Sequence, residues 1–164
     1  MSYLLDANVF IEAKNSYNGL GICPGFWEWL LHMGNRDKLF SIDKVAYEIE
    51  AGQDELTDWI RSQGKSLFRK TQSTIATQFM AVSEWVTTQD YDAAAINTFF
   101  QTADYYLVAQ ALAGEHVLVT REVPSNSSRR IKIPNVCLGL EIEFMTPFQM
   151  LRIEGARFIL EIEH

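Results

Sequence analysis

The sequence predicts an α/β fold, a three-layer α/β/α sandwich around a mainly parallel central sheet, and three observations predict it. Short apolar runs at Tyr3–Leu5, Leu39–Ile42 and 117–120 have strand length and alternate with longer stretches of helical period. The third run is apolar at successive positions, so both of its faces should be covered, as in a parallel sheet. Acidic residues gather just past the ends of these runs, where parallel sheets bind their ligands.

In chain order, Tyr3-Leu4-Leu5 is the first strand, and Asp6-Ala7-Asn8 follows with residues that cap helices. The helix is expected to begin near Val9 and to carry Phe10, Ile11 and Ala13. Three glycines and Pro24 make residues 19–25 a loop. The apolar stretch 26–31 then reads as a buried helix that ends near Gly34 and Asn35. After the second strand, Asp43 is the expected N-cap of a helix bearing Val45, Ala46 and Ile49, which Gly52 stops. Residues 55–89 are helical by pattern with a break near Gly64, and Ile75, Phe79, Val82 and Val86 should face the core. A helix over about 104–113 presents Leu107, Val108, Ala111 and Leu112 on one face and ends at Gly114. The third strand is followed by a polar loop over 124–130, then Ile131-Lys132-Ile133. A short helix over about 135–140, a strand over 142–145 and a last helix from about Phe148 complete the chain.

A length of 164 residues suits one domain, residues 1–164, with a sizeable core. The 48% hydrophobic and 21% charged content is that of an ordinary folded soluble protein and argues against disorder. No apolar run approaches the ~20 residues that span a bilayer. The opening MSYLLDANVF carries an acid and no preceding basic segment, so neither a signal nor a transit peptide is expected, and a cytoplasmic protein is. Cys23 and Cys137 lack any CxxC spacing and read as two buried thiols. His32, His116 and His164 are scattered, without a partner at ligand spacing. The net charge of −7 disfavours broad phosphate binding, although local basic patches still steer a nucleic acid.

The chemistry lies in the acids. Asp6 and Asn8 follow the first strand; Asp43 and, a turn further, Glu48 follow the second; Thr120 and Glu122 follow the third; Asp104 opens the helix leading into it. Carboxylates sharing one pocket repel one another unless a cation joins them. Oxygen donors without Cys or His select Mg²⁺ or Mn²⁺ over zinc, and such a site suits phosphodiester hydrolysis. Each acid also has a plainer reading. Asp6 or Asn8 could cap the first helix, Asp104 could favour its helix N-terminus, and Glu122 could be a loop acid. Glu48 and Glu50 flank the same apolar face, and periodicity does not choose between them.

The string LLDANVFIEAK resembles the opening of PIN-domain nucleases, VAYEIEAG resembles their second motif, and TADYYLVAQALAGEHVLVTRE resembles their third. The three occur in order and span most of the chain. The segment Ile131-Lys132-Ile133-Pro134-Asn135-Val136-Cys137 resembles one found in bacterial and archaeal PIN-like proteins akin to the VapC-like toxins of toxin–antitoxin pairs. The resemblance implies a PIN-like fold and RNA cleavage dependent on Mg²⁺ or Mn²⁺. It implies Asp6, Glu48 and Asp104 as metal-binding catalytic carboxylates, with Glu122 joining them in catalysis. It also implies an antitoxin partner, and a homodimer is a further possibility. Where many PIN nucleases have Thr-x-Asp after the third strand, this chain has Thr120-Arg121-Glu122, whose acid reaches one methylene further. Asn8 and Thr120 are expected to orient carboxylates or waters.

Arg121, Arg129, Arg130 and Lys132 are the candidate RNA contacts, and Lys65, Arg69 and Lys70 form a second basic group. Trp27, Trp29, Phe99 and Phe100 fit core or interface packing better than base stacking. Two rival functions stand beside the nuclease. One is an aspartate-nucleophile phosphatase, although Asn8 stands where such enzymes place a second aspartate. The other is a PIN scaffold that binds RNA or a protein without cutting.

Overall fold

Strand β1, Tyr3–Leu5, lies at the centre of the sheet, and all three of its side chains are fully buried. The computed structural model describes residues 1–72 and 75–162; Ser73 and Thr74, within the stretch expected to be helical, and His164 lie outside the described residues. Helix α1, Ala7–Asn15, starts two residues before Val9, because Asp6 is extended and its side chain accepts the Ala7 N–H. Helix α2, Pro24–Asn35, starts inside the expected loop. Pro24 fits its first turn, where a missing N–H costs nothing.

Strand β2, Leu39–Ile42, leads directly into α3, Asp43–Glu50. The N-cap is Ile42, not Asp43. Asp43 sits in the first turn, and its Oδ1 accepts the Lys44 N–H at 2.9 Å and the Thr71 hydroxyl at 2.6 Å. The carboxylate is drawn to the chain leaving the neighbouring strand, which leaves the helix N-terminus without a side-chain cap.

The stretch expected to be one interrupted helix is four shorter pieces and a longer one. Helix α4, Glu55–Trp59, passes into a π-turn at Ile60–Gly64, a 3₁₀ turn at Lys65–Leu67 and strand β3, Phe68–Arg69; α5, Ala76–Thr88, follows. Close packing fixes the change at Gly64. A Cβ there would lie 2.6 Å from the Trp59 ring, which itself packs edge-on to Trp27 at 4.9 Å between centroids. Of the expected core positions in α5, Ile75, Val82 and Val86 are buried and Phe79 is half-buried.

Helix α6, Ala93–Gln101, is an element that periodicity did not expose; it buries Ala95 and Phe99. Helix α7, Ala103–Gly114, ends where Glu115 turns left-handed, at φ 54°. Strand β4, Val117–Val119, α8, Ile133–Leu140, β5, Phe144–Met145, and α9, Pro147–Ile153, complete the described chain.

The five strands run in the order β3-β2-β1-β4-β5, and every pair is parallel. In register, Leu4 pairs with Phe40 on one side and Leu118 on the other. Successive residues of β1, β2 and β4 are all buried, so helices cover both faces and the sandwich has three layers. The chain steps outward from β1 to β2 to β3, then returns to lay β4 against the other side of β1. That reversal makes the crevice past the carboxyl ends of β1 and β4 the topological switch point. Of the two expected buried thiols, Cys137 is buried and Cys23 only half-buried. His116 is fixed structurally: its Nδ1 lies 2.7 Å from the Ser2 hydroxyl and its ring is edge-on to Phe40. Among the described residues no helix is long and apolar enough to cross a membrane.

Leu4 is fully buried between both layers. Leu4→Ala is expected to cost about 2–5 kcal/mol, read as a lowered urea midpoint with an unchanged slope.

Candidate metal centre

Four acids meet at the switch point from four elements. Asp6 ends β1, Glu48 stands on α3, Asp104 is the second residue of α7, and Glu122 follows β4. Asp6 is a buried residue, 4% exposed. Its Oδ1 accepts the Ala7 N–H at 2.7 Å and its Oδ2 accepts the Thr120 hydroxyl at 2.8 Å. Thr120 Oγ1 in turn accepts the Glu122 N–H at 3.1 Å and the Asn8 amide N–H at 3.3 Å, while Asn8 Oδ1 accepts the Arg121 N–H at 3.0 Å. Asn8 and Thr120 therefore tie the ends of β1 and β4 together and hold one Asp6 oxygen in place.

The glutamates are anchored by single backbone bonds. Glu48 Oε1 accepts the Ala103 N–H at 2.9 Å, joining α3 to the start of α7. Glu50 makes no such bond, so tertiary structure separates the two acids that periodicity left equivalent. Glu122 Oε2 accepts the Ile133 N–H at 2.8 Å at the start of α8, and its side chain is only 9% exposed. It turns inward, and its extra methylene relative to aspartate spans the gap to α8. The Asp104 carboxylate accepts no hydrogen bond among the described residues.

This grouping is electrostatically costly. Burial pushes the Asp6 carboxyl up to about 7, with the Glu122 and Glu48 charges adding to it and the Thr120 and Ala7 hydrogen bonds opposing it. Burial pushes Asp104 up to about 8, reinforced by the charges of Asp6, Glu122 and Glu48 and opposed by Arg130. Arg130 is the nearest compensating charge, 3.5 Å from Glu122 and with a largely exposed side chain. As the side chains stand, no three His, Cys, Asp or Glu groups among the described residues close around a single point. The donor set still fits a hard divalent cation. It is all oxygen and negative in excess, and Asp104 is left without a protein donor.

The remaining predicted residues distribute as follows. Arg121 pairs with Glu12 at 3.0 Å and lies over the Phe148 ring, which commits it to α1 and α9. Arg129 and Arg130 are exposed on the loop between β4 and α8, and Lys132 is the N-cap of α8. Of the second basic group, Arg69 pairs with Asp37 at 2.6 Å and covers the Phe40 ring, at the far edge of the sheet. Trp27 and Phe99 are core residues, and Trp29 and Phe100 pack half-buried against it. Asp43, absorbed by Thr71, takes no part in the cluster. What sequence reasoning missed is helix α6, whose Thr98 and Phe99 lie beside Asp104; its buried face of Ala95 and Phe99 is too sparse for periodicity.

With its all-parallel five-stranded sheet flanked by helices, the chain has a PIN-like fold. The chain belongs to the family described as "Domain of unknown function (DUF4411)", whose model matches residues 3–158. Among solved structures it is similar to FitAB bound to IR36 DNA fragment. The identity is 15%, the match covers 99% of each chain, and the TM-score is 0.56, so the likeness shows the fold. None of the curated proteins matches the chain.

Two predictions follow from the electrostatics. Asp6 and Asp104 ordinarily titrate at 3.8 and in the fold near 7 and 8, so the native state holds extra protons between those values. Their contribution to stability is full below 3.8 and is lost as pH rises through about 7 to 8. In chelator, lowering pH from about 8.5 to about 5 is expected to raise Tm by at least several degrees, because the protonated carboxyls no longer carry the cost of burial and of their neighbours' charges. Millimolar Mn²⁺ should flatten that dependence, and Asp104→Asn should reduce it. Separately, Thr120→Val removes the hydroxyl that orients Asp6 and is expected to weaken Mn²⁺ binding about 10–100-fold by calorimetry.

Proposed function

We propose that this protein is a metal-dependent endoribonuclease, the toxin of a toxin–antitoxin pair acting in the cytoplasm. The observation that carries the nuclease reading is the burial of Asp6 and Asp104 in one carboxylate cluster with Glu48 and Glu122. A bound Mg²⁺ or Mn²⁺ supplies Lewis acidity toward a phosphoryl oxygen and toward water at neutral pH. Asp6, Glu48 and Asp104 would hold it. Asp6 is positioned by Thr120 and Ala7, Glu48 by Ala103, and Asp104 presents an oxygen with no competing donor among the described residues. Glu122 lies 3.5 Å from the Arg130 guanidinium, which would neighbour a phosphate brought to the cluster. The packed sheet beneath the crevice fixes these groups before substrate arrives. The similarity to FitAB, solved with a DNA fragment, is consistent with a nucleic-acid setting. The antitoxin partner and the RNA substrate rest on the sequence resemblance.

The phosphatase alternative loses ground because Asn8 is consumed in bonds to Arg121 and Thr120 and both Asp6 oxygens accept hydrogen bonds. The non-cutting scaffold has one observation in its favour, the backbone bonds of Glu48 and Glu122, which give those acids a purely structural use.

A time course on mixed RNA with Mn²⁺, Mg²⁺ or chelator separates these readings. Wild type is expected to cut only with metal. Asp6→Asn and Asp104→Asn should fold and lose more than about a hundredfold in rate, since loss of a group that merely orients a ligand already costs 10–100-fold. Variants as fast as wild type would sink the site assignment.

A further inference from the structure

Gln110 is the one polar residue that α7 buries, in company with Leu107, Val108, Ala109 and Ala111. It is 8% exposed, and its Oε1 accepts no hydrogen bond among the described residues. A leucine would fill the same space without the cost of a buried, unpaired amide, so packing does not account for this side chain. Gln110 lines a cavity of about 470 Å³, about 9 Å further along α7 than Asp104. None of the four clustered acids lines it.

The cavity lies on the β2–β3 side of the sheet. Phe40 and Ile42, two residues apart on β2, share one face and make its buried floor. Ile75 and the half-buried Gln78 come to it from the start of α5, opposite Gln110 and Ala113 of α7. The register that pairs Ile42 with Arg69 sets Arg69 and Lys70 at its exposed rim. Arg69 lies over the Phe40 ring at 4.3 Å and meets Asp37 in an exposed ion pair, a weak tie that leaves most of its N–H donors unused. No salt bridge engages Lys70, and no Asp or Glu lines the cavity, among the described residues. Two cations at the rim of an acid-free cavity, in a chain of net charge −7, point to an anionic occupant.

We propose that this cavity binds a nucleoside monophosphate, with its phosphate on Arg69 and Lys70 and the edge of its base on the amides of Gln110 and Gln78. Guanidinium and ammonium groups together match a phosphate dianion. A carboxamide carries a donor and an acceptor side by side, as a base edge does, and a half-turn exchanges the two. Ile42 and Ile75 offer apolar surface to the faces of the base. The buried amide sets this ligand apart from a bare anion, because the rim cations satisfy a phosphate and only a group hydrogen-bonding deeper in offsets the burial of Gln110. The site is separate from the carboxylate cluster and stands whether or not that cluster cuts RNA.

The test is calorimetric binding, in chelator, of the four nucleoside monophosphates, their nucleosides and inorganic phosphate. The proteins are wild type, Gln110→Leu, Lys70→Gln and Asp104→Asn. Wild type is expected to bind at least one of the nucleotides, and to bind its nucleoside and inorganic phosphate each more than about tenfold more weakly. Gln110→Leu should weaken that nucleotide about tenfold and raise the Tm of the ligand-free protein, because the unpaired amide is gone. Lys70→Gln, on the exposed rim, should weaken it about threefold and reduce its salt dependence. Asp104→Asn should bind like wild type, which separates this cavity from a nucleotide held at the carboxylates. No binding of any nucleotide, inorganic phosphate bound as tightly as the nucleotides, or binding that survives Gln110→Leu and fails in Asp104→Asn would overturn the proposal. A lower Tm in Gln110→Leu would overturn it too, by showing that the amide serves the fold. Binding with the expected pattern in a protein that never cuts RNA would overturn the ribonuclease reading alone.

Discussion

The Asp6 carboxylate stands at the end of the central strand, almost wholly removed from water, with one oxygen taken by the Ala7 amide and the other by the Thr120 hydroxyl. Those two bonds fix its direction without neutralising its charge. Three more carboxylates converge on the same crevice because the sheet reverses its winding there, so that the carboxyl ends of β1 and β4, helix α3 and the amino-terminal end of α7 all bring residues to one place. The energetic consequence is a centre where Asp6 and Asp104 hold protons well above their ordinary range. Buried like charges of this kind destabilise a fold unless they are protonated or joined by a cation. The surrounding all-parallel sheet, buried on both faces, is what tolerates that cost.

The polar network around the acids is economical and serves two ends at once. Thr120 receives the Glu122 amide while donating to Asp6, and Asn8 bridges the ends of β1 and β4, so the bonds that orient the carboxylates also close the sheet at the switch point. Glu48 and Glu122 act similarly as ties, to the first residues of α7 and α8. Only Asp104 is held by its backbone position alone. The cationic side of the crevice is equally local: Arg121 is spent on Glu12, while Arg129 and Arg130 remain at the open side, on a loop pinned by Ser125, Asn135 and Asp92.

Much of the scaffold could be read directly because its signals are local. Three of the five strands are short runs of buried residues at every position, and α7 ends at Gly114, where the sequence placed its end. Strand β3 was not legible. Phe68 and Arg69 become a strand only by pairing with Ser41 and Ile42, and nothing in a two-residue run announces that partner. Helix α6 was missed because its buried face is just Ala95 and Phe99, too sparse for periodicity. Asp43 looked like a cap and is not one, since Thr71, distant in sequence, offers its carboxylate a better donor.

By itself the sequence determined the alternation of strands and helices, and with it a parallel sheet whose carboxyl edge carries Asp6, Glu48, Asp104 and Glu122. It could do so because side-chain period and capping chemistry are properties of neighbouring residues. Only the tertiary structure decided which acids share one low-dielectric space, that Glu48 rather than Glu50 reaches the α7 N-terminus, that Glu122 turns inward and Arg121 away, and that Gln110 is buried beside a cavity. Those outcomes depend on burial and on distances between segments as much as a hundred residues apart, and electrostatic energy is set by those distances rather than by order along the chain.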